Sequence, residues 1–253
     1  MVDYSAQNKI AWEYDAYEFW RRHNGEPAEL AAKLVADPHR TLRRYEAYFG
    51  AFDGVRIANI CGSCGKKAVP LVLLGAEVTV FDISEHNRRY ALELAEAAGV
   101  RLDYQVGDVL EIDMDTYGGA FDVVFMEGGG LQYIHDLAQF MDIMHGLLKP
   151  GGKLILSDFH PLTKVLDALD LQLPDIGYFF SEVFEGEMAH ARFYDKETRR
   201  SFPKCSYRKY TLSEIINATL DTGFTLRRFD EHPAWNNAKL PGEFTLAATK
   251  DEA

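Results

Sequence analysis

From Val55 onward the chain alternates short apolar runs with stretches of helical period. Apolar runs at 55–60, 77–81, 101–106, 121–126 and 153–158 predict strands, and the amphipathic stretches near 65–74, 84–98 and 134–147 predict the helices between them. Strand and helix in strict alternation predict parallel βαβ units. The last of these helices stops at Lys149-Pro150-Gly151-Gly152, where a basic residue, a proline and glycines follow one another.

Before Val55 the pattern is helical in three pieces, broken at Gly25-Glu26-Pro27 and at Asp37-Pro38, with each proline at a first helical position. The first piece, 8–23, carries Trp12, Tyr14, Tyr17, Phe19 and Trp20, which fits either packing on the main domain or a lid over a ligand. After Pro161 the alternation lapses. Residues 164–210 hold short aromatic runs separated by charged stretches, the pattern of an inserted hairpin or cap. Thr211-Leu-Ser-Glu214 is a capping box that opens one more helix, and 224–229 and 243–249 are the last predicted strands.

Composition narrows the partners. The 253 residues are 47% hydrophobic, enough for a sizeable core, and carry a net charge of -12. That charge argues against a nucleic-acid partner. No run approaches 18 uncharged apolar residues and the first nine residues lack a signal-peptide core, so a cytoplasmic location is expected. Three cysteines, Cys61, Cys64 and Cys205, do not make a disulfide framework. Cys61 and Cys64 lack the two further ligands of a zinc site, and no metal site is expected.

The chemistry concentrates between Arg56 and Ser84. The first strand runs into Asn59-Ile60-Cys61-Gly62-Ser63-Cys64-Gly65, whose small residues let a ligand reach backbone N–H groups before a helix beginning at Gly65. The second strand ends in Asp82, a carboxylate suited to both hydroxyls of a ribose. Gly-x-Gly-x-x-Gly is absent, and that points away from a dinucleotide.

With Gly107-Asp108-Val109 after the third strand, Phe121 to Met126 followed by Glu127-Gly128-Gly129-Gly130, and Leu148 to Gly152 before the fifth strand, the chain resembles the class I S-adenosylmethionine-dependent methyltransferases from Val55 to Asp158. The resemblance implies a Rossmann-like, doubly wound seven-stranded sheet, mostly parallel with the last strand antiparallel. It would carry an N-terminal helical lid (1–50) and, within the methyltransferase domain (51–253), a cap inserted at about 162–210. It implies S-adenosyl-L-methionine as cofactor and S-adenosyl-L-homocysteine as product. The turn from Asn59 through Cys61, Gly62 and Ser63 to Gly65 would hold the methionine part. Asp82 and Ile83 would take the ribose, Gly107, Asp108 and Val109 the adenine, and Glu127 and Gly128 would line the mouth. The family usually has an acidic residue at Asn59 and glycine at Cys61 and Ser63.

In-line displacement at a sulfonium methyl draws on orientation and field, with a base required only where the nucleophile must lose a proton. The mouth lies beyond the ends of strands four and five, which makes His160, His135 and Glu127 the candidates for base or orienting group; Tyr17 joins them if the first helix closes over the pocket. The expected reaction is methyl transfer to an O or N atom of a small-molecule acceptor by a monomer or homodimer. A catalytically silent cofactor-binding protein and an NAD(P)-dependent oxidoreductase are the alternatives.

Overall fold

The computed structural model describes residues 3–163, 165 and 177–252, so residues 164 and 166–176 of the expected insertion lie outside the described residues. The strands are β1 (Arg56–Ile60), β2 (Glu77–Asp82), β3 (Asp103–Val106), β4 (Phe121–Met126), β5 (Leu148–Phe159), β6 (Val183–Glu187), β7 (Lys204–Arg208), β8 (Phe224–Ala234) and β9 (Asn237–Lys250). Seven of them form one sheet in the order β3-β2-β1-β4-β5-β9-β8, and β6 with β7 forms a small second sheet. β1, β2 and β3 pair in parallel, as do β4 and β5, while β9 runs antiparallel to both β5 and β8.

The helices are α1 (Tyr4–Glu13), α2 (Ala16–Asn24), α3 (Pro27–Ala36), α4 (Glu46–Phe49), α5 (Ala68–Leu73), α6 (Glu85–Ala97), α7 (Met114–Tyr117), α8 (Leu137–Leu147), α9 (Lys196–Arg199) and α10 (Leu212–Asp221). The chain divides into two compact units, one of residues 1–112 with 185–206 and the other of 113–184 with 207–253, so the N-terminal helices share a unit with β1–β3.

In the first unit, β1 buries Ile57, Ala58, Asn59 and Ile60, as expected of a parallel strand covered on both faces. α6 begins where the Ser84 hydroxyl accepts the Asn87 N–H, and it buries Tyr90, Ala91, Leu94 and Ala95 along one stripe. The expected first helix is broken between α1 and α2 because Asp15 is left-handed at φ 52°, and Pro38 opens a run of turns where a helix was expected. The helix expected from Gly65 begins only at Ala68, since Ser63 (φ 51°) and Gly65 (φ 76°) have a handedness no right-handed helix accepts. Pro70 sits in the first turn of α5, where its missing N–H costs nothing.

The aromatic residues of α1 and α2 face two ways. Phe19 stacks on His190 at 4.5 Å and Trp12 meets the same ring edge-on, while the Asn8 side chain pairs with the backbone N–H and C=O of Ser206. Tyr17 and Trp20 instead face α6, the first through Glu93 and the second through Asn87.

In the second unit, β4 and β5 are buried over most of their length, and α8 covers them with Phe140, Met141, Met144 and Leu147. The capping box at Thr211 and Glu214 forms as predicted, with Arg208 adding an ion pair to Glu214 at 2.6 Å. The final hairpin is longer than its apolar pattern suggested, because the polar 230–232 keep pairing with 243–245 beside β5, and 233–234 pair with 237–241 beyond its end.

Candidate functional site

In the first unit the parallel register sets the ends of three strands in one row. Ile60 pairs with Phe81 and Asp82 with Val106, and two backbone bonds extend that row: Cys61 N–H to Phe81 C=O at 2.7 Å, and Gly107 N–H to Asp82 C=O at 2.9 Å. The turn after β1, Asp82 and Gly107–Asp108 therefore stand side by side.

That turn folds tightly over the strand end. Cys61 (φ 50°) and Ser63 (φ 51°) are both left-handed, a conformation that costs a residue with a side chain about 1–2 kcal/mol. Gly62 lies flush on the strand, where an added Cβ would fall 2.5 Å from Asn59 Oδ1 and 2.7 Å from Val80. Asn59, 1% exposed, thus lies directly beneath the turn. The strained conformation is held from three sides: Ser63 N–H donates to Asp82 Oδ2 at 3.0 Å, Tyr104 O–H donates to Ser63 C=O at 2.8 Å, and Gly65 N–H closes on Gly62 C=O at 3.2 Å. Burial, with Asp82 nearby, pushes the Tyr104 phenol well up and keeps it a donor.

Asp82 is the centre of this arrangement. Its Oδ1 accepts the Ser84 N–H and the Asn87 side-chain amide, both at 3.0 Å, and its Oδ2 accepts the Ser63 N–H. The Tyr104 hydroxyl, which donates to the Ser63 carbonyl, also lies against this carboxylate. Burial pushes the Asp82 carboxyl up, and the three N–H donors oppose it. Ile83 follows half-buried, and Val109 is buried beside Asp108, whose carboxylate accepts the Leu110 N–H.

The N-terminal helices close on this corner. The Glu13 carboxylate accepts the N–H groups of Glu85 (2.6 Å) and His86 (3.1 Å), capping α6 from across the sequence. Trp20 Nε1–H donates to Asn87 Oδ1 at 2.7 Å. Tyr17, expected over the pocket, spends its hydroxyl on Glu93 and its ring face on the Arg89 guanidinium at 4.0 Å. Neither Glu13 nor Asn87 was among the expected site residues. Asn87 carried a readable signal all the same, since it falls on the stripe of Tyr90, Ala91 and Leu94, a position where an apolar side chain would be expected.

In the second unit, β4 ends at Met126 and Glu127 follows half-buried, ahead of two left-handed glycines, Gly128 (φ 93°) and Gly129 (φ 92°). Gly129 lies against the Phe159 ring, which an added Cβ would approach to 2.4 Å. Asp158, buried, accepts the Leu131 N–H at 2.9 Å and so fixes the 131–133 turn that carries Gln132 and Tyr133. Tyr133 and Tyr207 lie 5.2 Å apart, with Phe184 stacked beyond at 5.5 Å.

His160 is 5% exposed; its Nδ1 accepts the Leu162 N–H at 3.1 Å, and its Nε2 lies 2.9 Å from Glu231 Oε1. His135 lies apart from it, lining a cavity of about 640 Å³ with Asp136, Arg208, Tyr210 and Glu214. No disulfide joins Cys61, Cys64 and Cys205, and among the described residues no group of three or more His, Cys, Asp or Glu could hold a metal ion.

Residues 60–156 match the family described as "Methyltransferase domain". The ubiquinone biosynthesis O-methyltransferase of Paramagnetospirillum magneticum is 31% identical over 118 residues, 44% of this chain and 45% of that protein. That of Caulobacter sp. (strain K31) is 30% identical over 153 residues, 60% of this chain and 58% of that protein. The chain thus spans about half the length of these curated relatives. Among solved structures, the magnesium protoporphyrin IX methyltransferase of Synechocystis PCC 6803, solved with bound S-adenosylhomocysteine, superposes with a TM-score of 0.64 at 17% identity, covering 98% of this chain and 100% of that one. Over residues 60–156 the chain is thus similar to methyltransferase domains, and its seven-stranded sheet has the fold of the S-adenosylhomocysteine-bound enzyme.

Proposed function

We propose that the chain is an S-adenosylmethionine-dependent methyltransferase that moves a methyl group to an oxygen or nitrogen of a small-molecule acceptor, working in the cytoplasm. The observation that carries this reading is the aligned row of Cys61–Gly65, Asp82 and Gly107–Asp108. Three features of that row fit the cofactor. Asp82 ends the strand as a carboxylate, the group suited to ribose hydroxyls, Gly62 has no side chain to hold a ligand off the backbone, and Ser63 Oγ is buried with no hydrogen-bond partner among the described residues. The cofactor supplies an electrophilic sulfonium methyl when bound.

The residues then orient. Asp158 sets the turn that presents Tyr133, and the Tyr133–Tyr207–Phe184 cluster offers ring faces suited to a planar acceptor. Relatives named for ubiquinone biosynthesis and for magnesium protoporphyrin IX support an acceptor of that size. His160 already accepts the Leu162 N–H at Nδ1, so its neutral ring carries the proton on Nε2, facing Glu231. In that state it has no lone pair to spare for a substrate proton, and we assign it an orienting role. The match over 60–156 removes the ground for the NAD(P) alternative.

A second reading, cofactor binding without catalysis, draws on Asn59, which offers no carboxylate to the cofactor's ammonium group, and on the engaged His160. Methyl-labelled S-adenosylmethionine offered with a panel of phenols, hydroquinones and heteroaromatic amines separates the two. Label on an acceptor with matching S-adenosylhomocysteine supports the enzyme, and binding without turnover across the panel supports the second reading.

A further inference from the structure

We propose that Trp20 and Asn87 are positioning residues for the ribose carboxylate, so that docking of the N-terminal helices sets the geometry of Asp82 through two hydrogen bonds. The inference rests on the reading of Asp82 as the ribose acceptor. Asn87 is 1% exposed and lies between the two groups, donating from Nδ2 to Asp82 Oδ1 at 3.0 Å and accepting at Oδ1 from the Trp20 indole at 2.7 Å.

The order of these groups has a chemical consequence. A side-chain amide can turn either end toward a neighbour, and its oxygen would repel a carboxylate. The indole N–H is a donor only, so Trp20 fixes the Asn87 oxygen toward itself and the NH₂ toward Asp82. With the Ser84 N–H also on Oδ1, both acceptor positions of that oxygen are filled, which leaves Oδ2, beside the Ser63 N–H, as the oxygen for a ribose hydroxyl. Asn87 thereby decides which carboxylate oxygen meets a ribose hydroxyl, and Trp20 decides how Asn87 stands.

Trp20 does not depend on this chain of bonds for its own place. α2 and its flanks are held to the same unit by Tyr17 to Glu93, by Tyr90 O–H to Gly25 C=O at 2.8 Å and by the Glu13 cap on α6. An asparagine on a buried helix stripe is a costly substitute for leucine unless its hydrogen bonds are made, and here both ends are satisfied.

The test is calorimetric titration of the full chain and its Trp20→Phe, Asn87→Leu, Asp82→Ala and Asp82→Ala/Asn87→Leu variants. The ligands are S-adenosylhomocysteine and its 2′,3′-dideoxy analogue. Trp20→Phe keeps an aromatic ring while removing the N–H donor together with the rest of the indole, and the dideoxy analogue reads out the lost packing, so it remains informative if Asn87→Leu misfolds. Both single lid-side variants should lose about tenfold in affinity for S-adenosylhomocysteine, the scale of one hydrogen bond to a charged group, while their affinity for the dideoxy analogue stays at the unsubstituted chain's value. The double variant should bind S-adenosylhomocysteine no more weakly than Asp82→Ala. Equal losses for both ligands, or additive losses in the double variant, would overturn the proposal. If Asp82→Ala binds like the unsubstituted chain, the ribose assignment itself fails; if Asp82→Ala weakens binding but Trp20→Phe and Asn87→Leu do not, only the relay fails.

Discussion

Cys61 and Ser63 both adopt the left-handed backbone that glycine would supply without strain. The turn thus keeps its shape against the preference of its side chains, held by the Asp82 carboxylate on the Ser63 N–H and by Tyr104 on the Ser63 carbonyl. Ser63→Gly leaves both of those bonds in place and removes the strain and a buried hydroxyl. It should raise the free energy of unfolding in urea by about 1 kcal/mol. A loss of stability would show that the Ser63 side chain contributes more than its backbone conformation costs.

The same turn shows what a sequence discloses. Its small residues and the carboxylate one strand over are visible as letters, because strand ends in a parallel sheet fall where apolar runs stop. Its handedness is not. The helix expected from Gly65 begins at Ala68 because Ser63 and Gly65 are left-handed, and nothing in the letters Ser-Cys-Gly requires that.

α1 and α2 were expected to be either a packed cap or a lid, and their side chains divide between two partners. Phe19 and Trp12 enclose His190 of the inserted segment, and Tyr194, bonded to Asp15 at 2.6 Å, fastens the same contact. Burial there pushes the His190 imidazole down to about 4, with the Tyr14 backbone and Asp15 pulling the other way. The folded state thus resists a proton that the unfolded chain, with an ordinary histidine value near 6.5, accepts readily. Stability should be complete above about pH 6.5, fall as the pH drops toward about 4, and level off below, a total of about 3 kcal/mol. His190→Phe should remove that part of the profile, which urea unfolding at several pH values would reveal as a difference between the two proteins confined to this window. Parallel profiles would contradict the assignment.

The aromatic density of 8–23 was legible as sequence, whereas its pairing was not, because that pairing depends on side chains some 70 to 180 positions away: Asn87, Glu93, His190 and Tyr194. Trp20 is bonded to Asn87, the residue that holds Asp82. Asn87 was overlooked because an asparagine in the first turn of a helix ordinarily faces water, and only its place on the stripe of Tyr90, Ala91 and Leu94 distinguishes it.

The five parallel strands were legible in the alternation, since each parallel strand needs an apolar run and each crossover a helix, and the seven-stranded sheet with its antiparallel β9 followed from the resemblance. The inserted segment was legible as short aromatic runs between charged stretches, and β6 and β7 pair there as a small sheet, whereas its side-chain partners were not legible because loops carry no periodic pattern. Among the described residues no helix is long and apolar enough to cross a membrane. On the proposed function, the Asp82 corner holds the ribose of a nucleoside-bearing methyl donor. Calorimetric titration with S-adenosylhomocysteine, S-adenosylmethionine and NAD tests that most directly. The expected result is one site per chain for each sulfur ligand and no binding of NAD; absence of heat with both sulfur ligands, or a preference for NAD, would contradict it.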